Sequence, residues 1–174
     1  MGKLNVLWIL CFGTLVYAQK NEDTLLRKLL IDQLNYSYSA QNWFVPVRPA
    51  LEGLSAEQAI RKDSVENHSI GALVSHIAYW NEIYLRVLAG EDFSDLDIDN
   101  EETFKVLTDR EWGVIVKKLD SVQTEMERMV KNISDSELSE RASDLLSLTS
   151  HSAYHVGQIV YLRKRNGWWS KSKK

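Results

Sequence analysis

The sequence predicts an all-α fold, a four-helix bundle with a long crossover between its second and third long helices. Three observations predict it. Apolar residues recur at three-and-four spacing in four separate stretches of the chain. No stretch shows the apolar–polar alternation and hairpin turns that strands require. Only 8 Gly and 2 Pro among 174 residues leave little material for a loop-rich sandwich. With 44% hydrophobic and 26% charged residues the composition is that of a globular chain, and the length suits one domain.

Residues 1–18 read as a secretory signal peptide. Lys3 supplies a positive start, Val6 to Val16 an apolar run, and Val16-Tyr17-Ala18 small residues at the −3 and −1 positions, which sets cleavage before Gln19. The run falls well short of the ~20 residues that span a bilayer. Cleavage also removes Cys11, the only cysteine, and leaves 20 basic against 24 acidic residues. The expectation is an exported protein, periplasmic or secreted, with no stable membrane insertion after cleavage.

The bundle domain is expected over 19–167, followed by a basic C-terminal tail over 168–174. Leucines at 25, 26, 29, 30 and 34 start the first long helix, and the pattern runs on through Trp43, Val47 and Leu51. That helix is expected over 22–52, in two pieces or bent near Pro46. Ser55 with Gln58 can cap a short turn within the connection over 53–68. Ser69 caps the second long helix, which carries Leu73, Val74, Ile77, Trp80 and Tyr84 inward and stops at Gly90. Glu91 to Glu102 holds seven acidic and no basic residues, the expected crossover. Thr108 or Asp109 starts the third long helix, with Trp112, Leu119, Met126 and Val130 on one stripe. Ser134 to Glu137 reads as a separate capped turn, and the fourth long helix runs from about Ser143 to Arg165, ending at Gly167.

Chemistry concentrates in the histidines. His151 and His155 lie four residues apart, so on a helix both imidazoles occupy one face and can converge on one ion. The spacing matches HExxH, but Ser152 stands where a metalloprotease carries its glutamate, which argues against that class. A ligand pair and two capped or exposed histidines both fit the spacing. His76 sits mid-helix among core positions, so it must meet either a hydrogen-bond acceptor or a metal. Three nitrogens from two helices would leave a fourth position open, the arrangement of catalytic rather than structural zinc. His68, just before the cap of the second long helix, reads as a loop residue. Gln158 shares the face of His151 and His155, Tyr154 lies beside them, and Glu82 follows His76 by six residues; these three are the weak catalytic candidates. Gly157 either lets a neighbouring helix approach or only weakens its own.

The stretches Ser69 to Glu82 and His151 to Ile159, with Asn42-Trp43-Phe44-Val45-Pro46, resemble the DinB-like superfamily of metal-binding four-helix bundles. The resemblance covers essentially all of the mature chain. It implies that His76, His151 and His155 hold a divalent metal, zinc or nickel, and that the second and third long helices run in the same direction. It also implies a metal-dependent hydrolase or a thiol transferase acting on a small molecule. The thiols used by such transferases are cytosolic, whereas this chain carries an export signal, so the reaction stays open. The alternative is a non-catalytic exported bundle that binds a metal or a ligand.

Other classes are excluded more simply. A net charge of −3 gives no field for nucleic acid, and one cysteine excludes disulfide frameworks and Cys-rich metal modules. Asp95, Asp97 and Asp99 mimic a calcium loop, yet Asn100 replaces its glycine and Val106 its glutamate. Arg163, Lys164 and Arg165 begin the basic end, read as a favourable helix terminus. The partner expected is a small-molecule substrate, with a homodimer left open.

Overall fold

The computed structural model describes residues 5–62, 64 and 67–169, with side chains from residue 22 onward. Six α-helices follow in chain order: α1 (Asn5–Tyr38), α2 (Val47–Leu51), α3 (Ala56–Ile60), α4 (Ile70–Leu88), α5 (Asp109–Asn132) and α6 (Asp135–Arg165). No strand occurs among the described residues, and no helix among them is long and apolar enough to cross a membrane. The side chains of the expected signal peptide and residues 170–174 of the expected tail lie outside the described residues.

The four long helices α1, α4, α5 and α6 form the bundle. Gly71, at the start of α4, lies against Leu107, just ahead of α5; Glu82 in mid-α4 pairs with Lys118; Leu88, at the end of α4, packs with Val122 and Met126. Early thus meets early and late meets late, so α4 and α5 run in the same direction, and the crossover over 91–108 must span the bundle's length. By contrast α6 is antiparallel to α4: His76 meets His151 near one end while the Tyr84 hydroxyl donates to the Arg141 carbonyl at 3.1 Å farther along.

Local chemistry explains most boundaries. Ser55, Thr108 and Ser134 each accept from the backbone N–H three residues on while that residue's own side chain accepts from the cap's N–H. Gly90 and Gly167, at φ 91° and 73°, close α4 and α6 in the left-handed conformation that costs glycine least.

Two expected boundaries are corrected. The stretch to residue 52 is in two pieces, one of the two forms expected, but its first piece, α1, stops well before Pro46. It ends at Tyr38, where Asn35 and Ser37 side chains bond the carbonyls of Ile31 and Leu34, and Ser39 and Ala40 turn back onto the Asn35 carbonyl. Pro46 becomes the cap of the separate α2, and Pro49 is tolerated because a first-turn N–H has no helical partner. Trp43, in the intervening segment, is 96% exposed and off the core. The turn at Ser134 is not separate from the fourth long helix. It opens α6, because nothing between Leu138 and Leu145, both buried, breaks a helix.

Two apolar clusters fill the bundle. One gathers Leu73, Val74 and Ile77 with Leu119, Val156 and Ile159; the other gathers Leu30, Leu34, Leu88, Met126 and Leu145. Each such side chain contributes about 1.5–3 kcal/mol on burial. Arg163 departs from its expected role at a solvated helix end. It is buried, and its guanidinium donates to the carbonyls of Ala50 (2.6 Å) and Trp168 (3.0 Å), pinning α2 to α6.

Candidate metal centre

His76 from α4 and His151 and His155 from α6 come together. The Nε2 atoms of His76 and His151 lie 2.9 Å apart, and those of His151 and His155 3.0 Å apart. One ligand atom from each ring falls within 4.8 Å of the other two. Tetrahedral ligands at ~2.0–2.1 Å from an ion stand about 3.3 Å from one another. The two Nε2 spacings fall a few tenths of an ångström short of that figure, and the rings are inclined at 58°, 73° and 84° to one another, so they converge and do not stack.

The outer nitrogens decide the protonation. Thr103 donates its hydroxyl proton to the Asn100 carbonyl at 2.6 Å, so its Oγ1 must accept from His76 Nδ1 at 2.5 Å. Gln158 Oε1, an acceptor, lies 2.6 Å from His155 Nδ1. Both rings therefore carry hydrogen on Nδ1 and turn a bare Nε2 lone pair toward His151, as a metal ligand must. His151 Nε2 has one hydrogen at most, too few to satisfy both facing lone pairs. A cation satisfies all three. The donor set fits a divalent metal.

Burial reinforces this state. His76 and His155 are 2% and 6% exposed. Desolvation first, and then the neighbouring imidazoles, push His76 down to about 3. Desolvation likewise takes His151 to about 4 and lowers His155, partly opposed by the Gln158 bond. All three rings are neutral, and competent to bind metal, at neutral pH.

Phe104 covers the centre. Its ring lies face to face with His76, centroids 3.9 Å apart, a second imidazole, His68, also stacks on it at 3.9 Å, and His155 meets it edgewise at 6.0 Å. His68 is thus a loop residue outside the triad, as expected. Of the catalytic candidates, Gln158 holds His155. Tyr154, 66% exposed, presents its ring edgewise to His155 at 5.0 Å. Glu82, the third candidate, pairs with Lys118 of α5 at 2.5 Å. Gly157 faces open space, so no helix approaches there. The close approach is at Gly71, where a methyl would stand 3.2 Å from the Ala59 carbonyl oxygen.

Thr103 and Phe104 were not expected from the sequence. They follow the acidic run directly, in a one-turn 3-10 helix over Asn100–Thr103 capped by Asp99. A buried threonine and an aromatic closing an otherwise acidic loop are the signal that this end of the crossover docks on the bundle.

A family model described as the DinB superfamily matches residues 46–159. No curated protein and no solved structure matches the chain. The matched span covers about two thirds of the sequence and includes all three histidines, and the chain belongs to the DinB superfamily.

Proposed function

We propose that this protein is a metal-dependent hydrolase or transferase acting on a small molecule through His76, His151 and His155, with zinc or nickel as the ion. The observation that carries the proposal is the pair of outer hydrogen bonds, Thr103 to His76 and Gln158 to His155, which turn two lone pairs onto the third imidazole. A divalent ion in such a site supplies Lewis acidity, lowering the pKa of a water or a thiol at its open position.

The chain's own residues supply the rest. Thr103 and Gln158 fix ring orientation, and Phe104 shields the His76 face from water. His151 lines a cleft, which offers a substrate its way in from that side. Tyr154 stands at the rim of a separate cleft next to His155. The amino-terminal segment supports export, with the mature domain working in the periplasm or outside the cell.

Elemental analysis of untagged, chelator-free protein tests the metal. About one zinc or nickel per chain, lost on His151→Ala together with turnover in an ester, amide and thiol-conjugation panel, is the expected result. Activity that survives loss of the metal refutes the mechanism. A metal-loaded protein inert across the panel replaces it with a non-catalytic binding role.

A further inference from the structure

Two clefts flank the histidines along one face of α6, and their charges are opposite. The cleft toward the α6 carboxyl end, about 450 Å³, has Arg165 in its lining and no acidic side chain. The cleft toward the amino end, about 500 Å³, has Asp144 in its lining and no Lys or Arg. Both volumes suit a small ligand. Only the second is lined by a triad member, His151.

We propose that this second cleft selects substrates bearing a protonated amine on an apolar or aromatic body, with Asp144 as the counter-charge and Trp80 and Tyr84 as walls. The proposal rests on the metal-site reading for where the reacting group sits. Asp144 and His151 are seven residues apart on α6, two turns on one face, so amine and reacting atom are separated by about 10 Å. Leu148 lies between them, and Val87 faces it from α4, which supplies the apolar middle.

The walls are fixed in advance. Asn100 Oδ1 accepts from the Trp80 indole N–H at 3.2 Å, and the Tyr84 hydroxyl is engaged by the Arg141 carbonyl. Held aromatic faces favour a cation lying against them. Asp144 makes no ion pair or hydrogen bond among the described residues, and the Tyr84 hydroxyl proton is held more tightly through burial first and then through the Asp144 charge, partly opposed by the Arg141 guanidinium. A carboxylate with no ion pair or hydrogen bond among the described residues, in one cleft with two hydrogen-bonded aromatic side chains and two helical turns from His151, is complementary to an ammonium and repels a carboxylate substrate.

The probes are phenylpropylamine, phenylpropanol and phenylpropanoate, measured by calorimetry on zinc-loaded and on chelator-treated protein. The amine is expected to bind at least about fivefold tighter than the alcohol, the scale of one partly exposed charge pair with a cation–π contact. Phenylpropanoate is expected not to displace it. Asp144→Asn removes the preference and Asp144→Lys reverses it, with zinc content and thermal midpoint unchanged in both. Failure of the metal reading appears separately, as absent zinc with amine selectivity intact in the chelator-treated protein. No measurable amine binding, displacement of the amine by phenylpropanoate, or a preference that persists in Asp144→Asn overturns the proposal.

Discussion

Replacing Thr103 by valine tests whether the crossover loop sets the histidine triad. The substitution keeps shape and removes one oxygen. Thr103 and His76 are 1% and 2% exposed, so no water substitutes for the lost acceptor. The His76 N–H then has two options. It can stay on Nδ1 unpaired, which costs about 1–3 kcal/mol of fold stability. Alternatively the proton can move to Nε2, which relieves that cost and cancels the lone pair aimed at the ion. Either route weakens the metal. Loss of such an outer partner lowers affinity about 10- to 100-fold, or about 1.4–2.7 kcal/mol. Competition for zinc against a chromophoric chelator at fixed pH reads the affinity, and the urea midpoint in chelator reads the stability. Thr103→Ser, which keeps the oxygen, should restore most of the affinity. Wild-type zinc affinity in Thr103→Val would refute the reasoning and reduce Thr103 to a packing residue.

Three further outcomes are expected. In metal-free protein the unfolded imidazoles take up protons near pH 6.5, whereas the folded ones resist until about 4 for His151 and about 3 for His76. Unfolded chain thus binds more protons in that window, and stability should fall as pH drops from 6.5 toward 4 while staying level above 7; a thermal midpoint independent of pH there would show the rings are not buried neutral. Gly71→Ala should destabilise by about 1 kcal/mol, because crowding against the Ala59 carbonyl outweighs the helix gain, while Gly157→Ala, open on all sides, should stabilise by roughly 0.5–1 kcal/mol in urea titrations. Arg163→Met should cost about 2–4 kcal/mol by the same assay, since the Ala50 and Trp168 carbonyls lose a charged donor.

Short-range interactions are legible in the sequence. Ser55, Ser69, Thr108 and Ser134 act as caps because their partners stand three residues away, and the pairing of His151 with His155 follows from a single helical turn. Legibility ends where two local signals conflict. The leucine periodicity continues past Tyr38, but the serines and Pro46 prevail, since a backbone without its hydrogen bonds outweighs a pattern of side chains. At Ser134 a strong cap suggested an isolated turn, although nothing afterwards stops the helix.

What decides the site lies between distant parts of the chain. Periodicity places His76 on an inward face, but only packing α4 against α6 brings its Nε2 to His151 across 75 positions of sequence. Thr103 sits 27 residues from His76 and Ala50 stands 113 from Arg163; no spacing rule spans such gaps, because the chain between them can close in many ways. Residue chemistry alone made three imidazoles available on two helices. Their tautomers, their shielding by Phe104 and the opposite charges of the two flanking clefts exist only once the crossover has folded back onto the bundle, where burial turns weak local preferences into fixed hydrogen bonds.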